Sequence, residues 1–235
     1  MRALYSVLIF LFSATMFAGE YSEVKKLDAS AEGVTHFDID CGSGFLKVKG
    51  VEGLDKIMVE AEIVVKNVRR DDVQEYIERR VRLELETDGN RAYLKSKTEN
   101  SDWSRGNAYV NLRIEMPKNM DLTIDDGYGS MEIRNITGDL TVDDGSGSLD
   151  IEKISGNVRV DDGSGSVEIW DITGDVDVDD GSGSMTIEKI DGSVTVRDGS
   201  GSINIDGISK DVDIREAGSG GVNIYDVKGT VSSYK

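Results

Sequence analysis

The sequence predicts an all-β solenoid of 18-residue coils, and three observations predict it. An 18-residue motif recurs in register. Apolar residues inside each copy alternate with the two-residue period of half-buried strands. Glycine-rich reversals separate those strands, where glycine supplies the backbone angles a tight turn demands.

The copies are DLTIDDGYGSMEIRNITG from Asp121, DLTVDDGSGSLDIEKISG from Asp139, NVRVDDGSGSVEIWDITG from Asn157, DVDVDDGSGSMTIEKIDG from Asp175 and SVTVRDGSGSINIDGISK from Ser193. A sixth, DVDIREAGSGGVNIYDVKG from Asp211, carries one extra residue, read as Ala217. An earlier copy, HFDIDCGSGFLKVKGVEG, starts at His36 and needs no gap. Apolar side chains fall at coil positions 2, 4, 11, 13 and 16, as in Leu140, Val142, Leu149, Ile151 and Ile154. Positions 2 and 4 recur nine later, so a coil is two nonapeptides. The three-hexapeptide plan of a left-handed β-helix is excluded, and helix is excluded by the glycine density and β-branched content. One copy buries almost nothing; stacking copies about 4.8 Å apart builds a continuous core. Parallel β crossovers favour a right-handed coil.

Residues 54–120 break the period. Ile57, Val59, Ala61 and Ile63 alternate as a strand, Asp71–Arg80 has helical character, and Arg82–Thr87, Arg91–Lys97 and Tyr109–Met116 read as strands. Pro117 ends the last of them. This β-rich excursion with one short helix is expected to cover one end of the stack, since an open sheet edge aggregates unless capped or charged. At the other end Thr230–Lys235 begins a further coil and stops, so either Tyr234 and Lys235 fold over that edge or another molecule docks there, including a second copy end to end.

The first 18 residues hold one charge, Arg2, ahead of an apolar run that is short for a membrane span. They read as a secretory signal with cleavage after Ala18; an uncleaved anchor is the alternative. The expected division is therefore 1–18 signal peptide, 19–120 first coil plus excursion and cap, and 121–235 solenoid repeats. No later segment is apolar enough to span a bilayer, and the location expected is extracytoplasmic: periplasm, cell surface or secreted.

Composition narrows the chemistry. With 45 acidic and 27 basic residues the net charge is −18, which argues against nucleic acid or anionic lipid as partner. Residues 121–235 hold 25 acidic and nine basic residues, so the coil surfaces are strongly anionic, which keeps an edge-bearing stack soluble. One cysteine and one histidine leave no disulfide framework and no Cys/His zinc cluster.

The combination of signal peptide, a β-rich lead ending VNLRIEMPKNMDLTI and GSG-centred coils resembles the bacterial putative adhesin family, the auto-transporter adhesin or head-GIN-type β-helix proteins. The resemblance covers roughly residues 34–229 and implies a two-sheeted β-helix, an extracytoplasmic location and a role in adhesion. It carries over no functional residue.

Aspartate pairs stand at positions 5 and 6: Asp125 and Asp126, Asp143 and Asp144, Asp161 and Asp162, Asp179 and Asp180. In one reading position 6 accepts a turn N–H while position 5 faces water. In the other the columns bind calcium, a hard cation satisfied by clustered carboxylates. The turn reading is preferred, because the Asp precedes the glycines rather than following them as in calcium-binding rolls, and because position 5 becomes Arg197 and Arg215 in the last two coils. A carboxylate pair repeated in four coils is scaffold rather than a glycosidase site, which needs one pair in one cleft. No G-x-S-x-G elbow occurs, and the only base candidate, His36, falls at an outward turn. No catalytic residue and no cofactor other than calcium is therefore expected. Trp170 and Tyr225 share an outward position and Trp103 sits in an excursion loop; such aromatics are ordinary anchors for glycan or protein. Cys41, at position 6 of the first coil, reads as buried and inert. The function expected is an exported noncatalytic β-solenoid acting as an adhesin-like binding or scaffold module toward an envelope protein or glycan. A calcium-stabilised roll and, further off, a polysaccharide-active enzyme are the alternatives.

Overall fold

The repeats do stack. A computed structural model describes residues 10–17, 20–99 and 107–233. Cleavage after Ala18, the loop bearing Trp103 and the placement of Tyr234 and Lys235 lie outside the described residues.

The first part of the chain forms β1 (Phe10–Phe17), β2 (Glu20–Ser30), β3 (His36–Cys41), β4 (Leu46–Val51) and β5 (Lys56–Lys66). After a short 3-10 turn come α1 (Val73–Arg80), β6 (Val81–Asp88), β7 (Arg91–Thr98) and β8 (Asn107–Pro117). Two strands per coil follow: β9 (Asp121–Asp126) and β10 (Gly129–Ile136), β11 (Leu140–Asp144) and β12 (Gly147–Ile154), β13 (Val158–Asp162) and β14 (Gly165–Ile172). The remainder are β15 (Val176–Asp180) and β16 (Gly183–Ile190), β17 (Val194–Asp198) and β18 (Gly201–Ile208), β19 (Val212–Ala217) and β20 (Val222–Val227), and β21 (Val231–Ser233).

The first strand of every coil joins one sheet and the second joins the other, all in parallel register. Leu140 lies on Leu122 and Val158, and Leu149 on Met131 and Val167. The two faces enclose a dry core: every apolar side chain at positions 2, 4, 11, 13 and 16 from Leu122 to Ile214 is at most 2% exposed. Each such burial contributes roughly 1.5–3 kcal/mol, which lets coils that are individually unstable hold together.

The three-residue step between positions 13 and 16 departs from strand alternation, yet both are buried. Position 15 resolves it by adopting left-handed backbone, with φ of 61° at Asn135, 58° at Lys153, 62° at Asp171, 56° at Lys189 and 73° at Gly207. This turns the chain so that position 16 re-enters the core. A second device closes the coil. The position-1 Asp or Asn accepts the backbone N–H of the same position one coil on: Asp139 to Asp121 at 2.9 Å, Asn157 to Asp139 at 2.8 Å and Asp175 to Asn157 at 3.0 Å.

The excursion caps the stack in an order that differs from the chain order. The smaller sheet runs β9, β3, β7, β6 and the larger runs β10, β4, β8, β5, β2, β1. β7 and β8 are parallel to β3 and β4, with Ala92 on Phe37 and Leu112 on Leu46, so they form one more coil-like layer beneath the first coil. β5 and β6 then add antiparallel and end the parallel stack. The helix starts two residues later than the pattern predicted. It buries Val73 and Ile77 and reaches β2 through Gln74, whose Nε2 donates to the buried Glu23 at 3.1 Å.

One assignment changes. The extra residue of the sixth coil is Arg215, not Ala217: Ile214 lies beside Val196, but Glu216 beside Arg197 and Ala217 beside Asp198. Bulging Arg215 out lets it donate to Asp213 at 3.0 Å and sets Glu216, rather than another arginine, against Arg197. The segment 10–17, within the expected export signal, pairs antiparallel with β2 at the edge of the larger sheet.

Candidate functional site

The paired aspartates separate onto opposite faces of their strands, as side-chain alternation requires. Position 5 is outside, with the Asp125 side chain 70% exposed. Position 6 is inside: Asp126, Asp144, Asp162, Asp180 and Asp198 are 1–5% exposed and form a column along the core edge. Three of them close the glycine turn as expected, Asp162 accepting from the Ser164 N–H at 3.2 Å, Asp180 from Ser182 at 3.0 Å and Asp198 from Ser200 at 3.0 Å. Their burial is the unexpected part. One carboxylate oxygen of Asp126, Asp162 and Asp180 and both of Asp144 have no hydrogen-bond partner. Burial, aided by neighbouring carboxylates, lifts Asp144 to about 7 and Asp180 to about 6. Among the described residues no group of three or more His, Cys, Asp or Glu is arranged to hold a metal ion. The eight calcium candidates thus form two columns rather than one cluster.

Cys41 heads the inner column and is buried, as expected. Burial and the adjacent Asp126 push its thiol far up, so it stays protonated and unreactive. His36 stands at the outward turn, its side chain 37% exposed, with Nε2 3.2 Å from Asp121 and Nδ1 2.7 Å from the Thr35 hydroxyl. No serine oxygen is recorded within hydrogen-bond distance of its ring among the described residues. Trp170 faces outward but is not bare: Lys153 and Lys189 lie 4.8 and 5.1 Å from its ring centre. Tyr225 is 63% exposed.

A feature that motif reading missed lies on the outer face of the larger sheet. A groove of about 920 Å³ crosses β2, β5, β8, β4, β10 and β12, and its walls carry seven basic side chains against four acidic ones. At its centre are Lys47 and Lys49 of the first coil, Arg113 of β8 and Arg134 of β10. Their sequence separation conceals the cluster; the out-of-order layer beneath the first coil assembles it.

The molecule is thus a two-sheeted β-solenoid with a filled interior, whose accessible chemistry is on its outer faces. No protein-family model matches the chain, and no curated protein matches it. Solved structures do. A "putative cell adhesion protein" from Clostridium sporogenes is 13% identical, covering 88% of this chain and all of that one, with a TM-score of 0.40. A "putative adhesin" from Bacteroides fragilis is 14% identical over 90% of this chain and 97% of that one, with a TM-score of 0.36. A "putative lipid binding protein" from Parabacteroides distasonis is 10% identical over 90% and 97%, with a TM-score of 0.31. The adhesin names are those of the family that the coil motifs resemble. No helix among the described residues is long and apolar enough to cross a membrane.

Proposed function

We propose that this chain is an exported, noncatalytic binding or scaffold module of the cell envelope, adhesin-like in action. The observation that carries the reading is the division of labour in each coil. Inward positions are packed and dry, while outward positions stand in rows at strand spacing on a rigid frame. A rigid face loses little entropy on binding, which suits recognition. Two arrangements among the described residues favour a noncatalytic reading: the aspartate pairs are split between two faces, and the exposed His36 ring is met by the Asp121 carboxylate, the Thr35 hydroxyl and the Asn90 amide. The test is adhesion of the purified full chain to bacterial cells and arrayed glycans, compared with a chain shortened by whole coils. Binding that weakens as coils are removed is the expected result. Turnover of an acidic polysaccharide that disappears on changing one aspartate pair would replace this reading with an enzyme.

A calcium-stabilised roll is the second reading, favoured by the unpartnered oxygens of Asp126, Asp144, Asp162 and Asp180. It requires a Tm that climbs with added calcium and falls with EDTA. An unchanged Tm ends it.

A further inference from the structure

We infer that the basic block of Arg113, Lys47, Lys49 and Arg134 binds the oxyanion groups of a linear acidic polysaccharide, an inference that rests on the binding-module reading. Strand register builds the block. Lys47 lies directly beside Arg113 and Lys49 directly beside Arg134, on parallel strands. Strand spacing sets such neighbours about 4.8 Å apart, a distance at which like charges facing each other oppose pairing. Along the first row the signs run Lys26, Glu60, Arg113, Lys47, Glu132, so among the bases alternation fails at Arg113 and Lys47, before the row turns acidic through Glu132, Asp150 and Glu168. Along the second they run Glu115, Lys49, Arg134, Glu152, failing at Lys49 and Arg134. The two failures are adjacent, which leaves four cations in one patch with acids at its borders.

Internal partners use only part of this charge. Lys47 pairs with Glu132 at 2.7 Å, Arg134 pairs with the same Glu132, and Arg113 stands 4.0 Å from Glu60. Lys49 is exposed and makes no ion pair among the described residues. An anion seated between the rows would offset both like-charge contacts, and the guanidinium groups offer paired N–H donors that match carboxylate or sulfate.

Groove shape and overall charge select the ligand. The groove is open and crosses six strands, five spacings or roughly 24 Å, which fits a chain better than an enclosed small molecule. A net charge of −18 repels densely charged polymers and anionic membranes at long range, so a sparsely charged polymer is the better partner. The acidic coils of a second copy complement the block in sign as well, so self-association is the competing occupant that the test separates.

The experiment is calorimetric titration of the full chain with hyaluronate, which carries one carboxylate per two sugars, and with a sparsely sulfated dextran, neutral dextran serving as control. Both acidic polymers are expected to bind, more weakly as salt is added. Lys49→Gln, at an exposed position, is expected to weaken binding about tenfold, the value of one charged hydrogen bond. Asp143→Asn on the opposite sheet should leave it unchanged, and circular dichroism checks that both variants fold. Failure of both polymers to bind, equal binding of neutral dextran, or affinity unchanged in the Lys49→Gln, Arg134→Gln double variant would overturn the inference. A dimer in sedimentation that dissociates on Lys49→Gln would instead assign the surface to a second copy. If the polymers fail while the chain still adheres to cells, the groove inference falls and the module reading stands. If they bind while the chain adheres to no cell, the site stands and adhesion falls.

Discussion

Gly147 has φ of 151°, and a Cβ added there would stand 1.5 Å from the carbonyl oxygen of Gly129 in the coil below. The same approach recurs at Gly165, Gly183 and Gly201, so the second glycine of each GSG is fixed by its neighbour as well as by its own turn. Gly147→Ala is expected to cost about 3 kcal/mol or more, read from the urea midpoint, because backbone rather than a flexible side chain must yield. A variant as stable as the parent would mean that the coils stand further apart. The inner aspartates give a second expectation. Unfolded, they ionise near the ordinary carboxylate value of about 4; folded, Asp144 and Asp180 ionise at about 7 and about 6. The folded chain therefore holds more protons in that interval. Their contribution is complete below the unfolded value and lost as pH rises through 6 to 7. Tm is expected to rise as pH falls from about 8 to about 5. Asp144→Asn should flatten that slope and raise Tm at the alkaline end; a Tm that instead climbs with pH would contradict the buried column.

At the scale of the element, a coil is a unit because its 18 residues return every column to phase. Deleting residues 157–174, which removes β13 and β14, would set Val176 on Leu140 with glycine, aspartate and apolar columns still aligned. That variant is expected to fold, with a lower Tm and a smaller urea m-value, since stability in a stack is a sum over neighbours. Deleting nine residues would feed a strand of one sheet into the other, and soluble folded protein from that variant would refute the two-sheet plan. Within a coil, Ile151→Ala is expected to cost about 2–5 kcal/mol. Ile224→Ala in β20, where the side chain is only half-buried, should cost less. The two strands of each coil, the excursion strands β5 to β8, the short helix and the end of β8 at Pro117 were legible from periodicity and turn residues; β1 and β2 were not. The bulge was not: a 19-residue copy shows that one residue is extra but not which, and pairing Arg215 with Asp213 decided it. The left-handed position 15 had a trace in the odd spacing of apolar positions 13 and 16, visible only once both were known to be buried.

For the whole molecule, the stack should be most protected in the middle. Hydrogen exchange is expected to be slowest in β11 to β16 and fastest in β20 and β21, where Val222 is 41% and Val231 47% exposed. Uniform protection along the axis would indicate that something covers those last strands. Charge at this scale misleads a reader of the linear sequence. Residues 1–120 are nearly balanced in sign, yet folding gathers three of their bases, Lys47, Lys49 and Arg113, with Arg134 into one patch because β4 lies between β8 and β10. The coil period, the strand faces, the outward fifth position and the turn-closing sixth position follow from the residues alone, because each is enforced locally, by alternation, by glycine and by an aspartate two residues from the N–H it accepts. The order of the first layers, the depth of the aspartate column and the basic groove do not. They depend on which open edge the non-repeating segment satisfies, and an edge exists only after the coils have stacked.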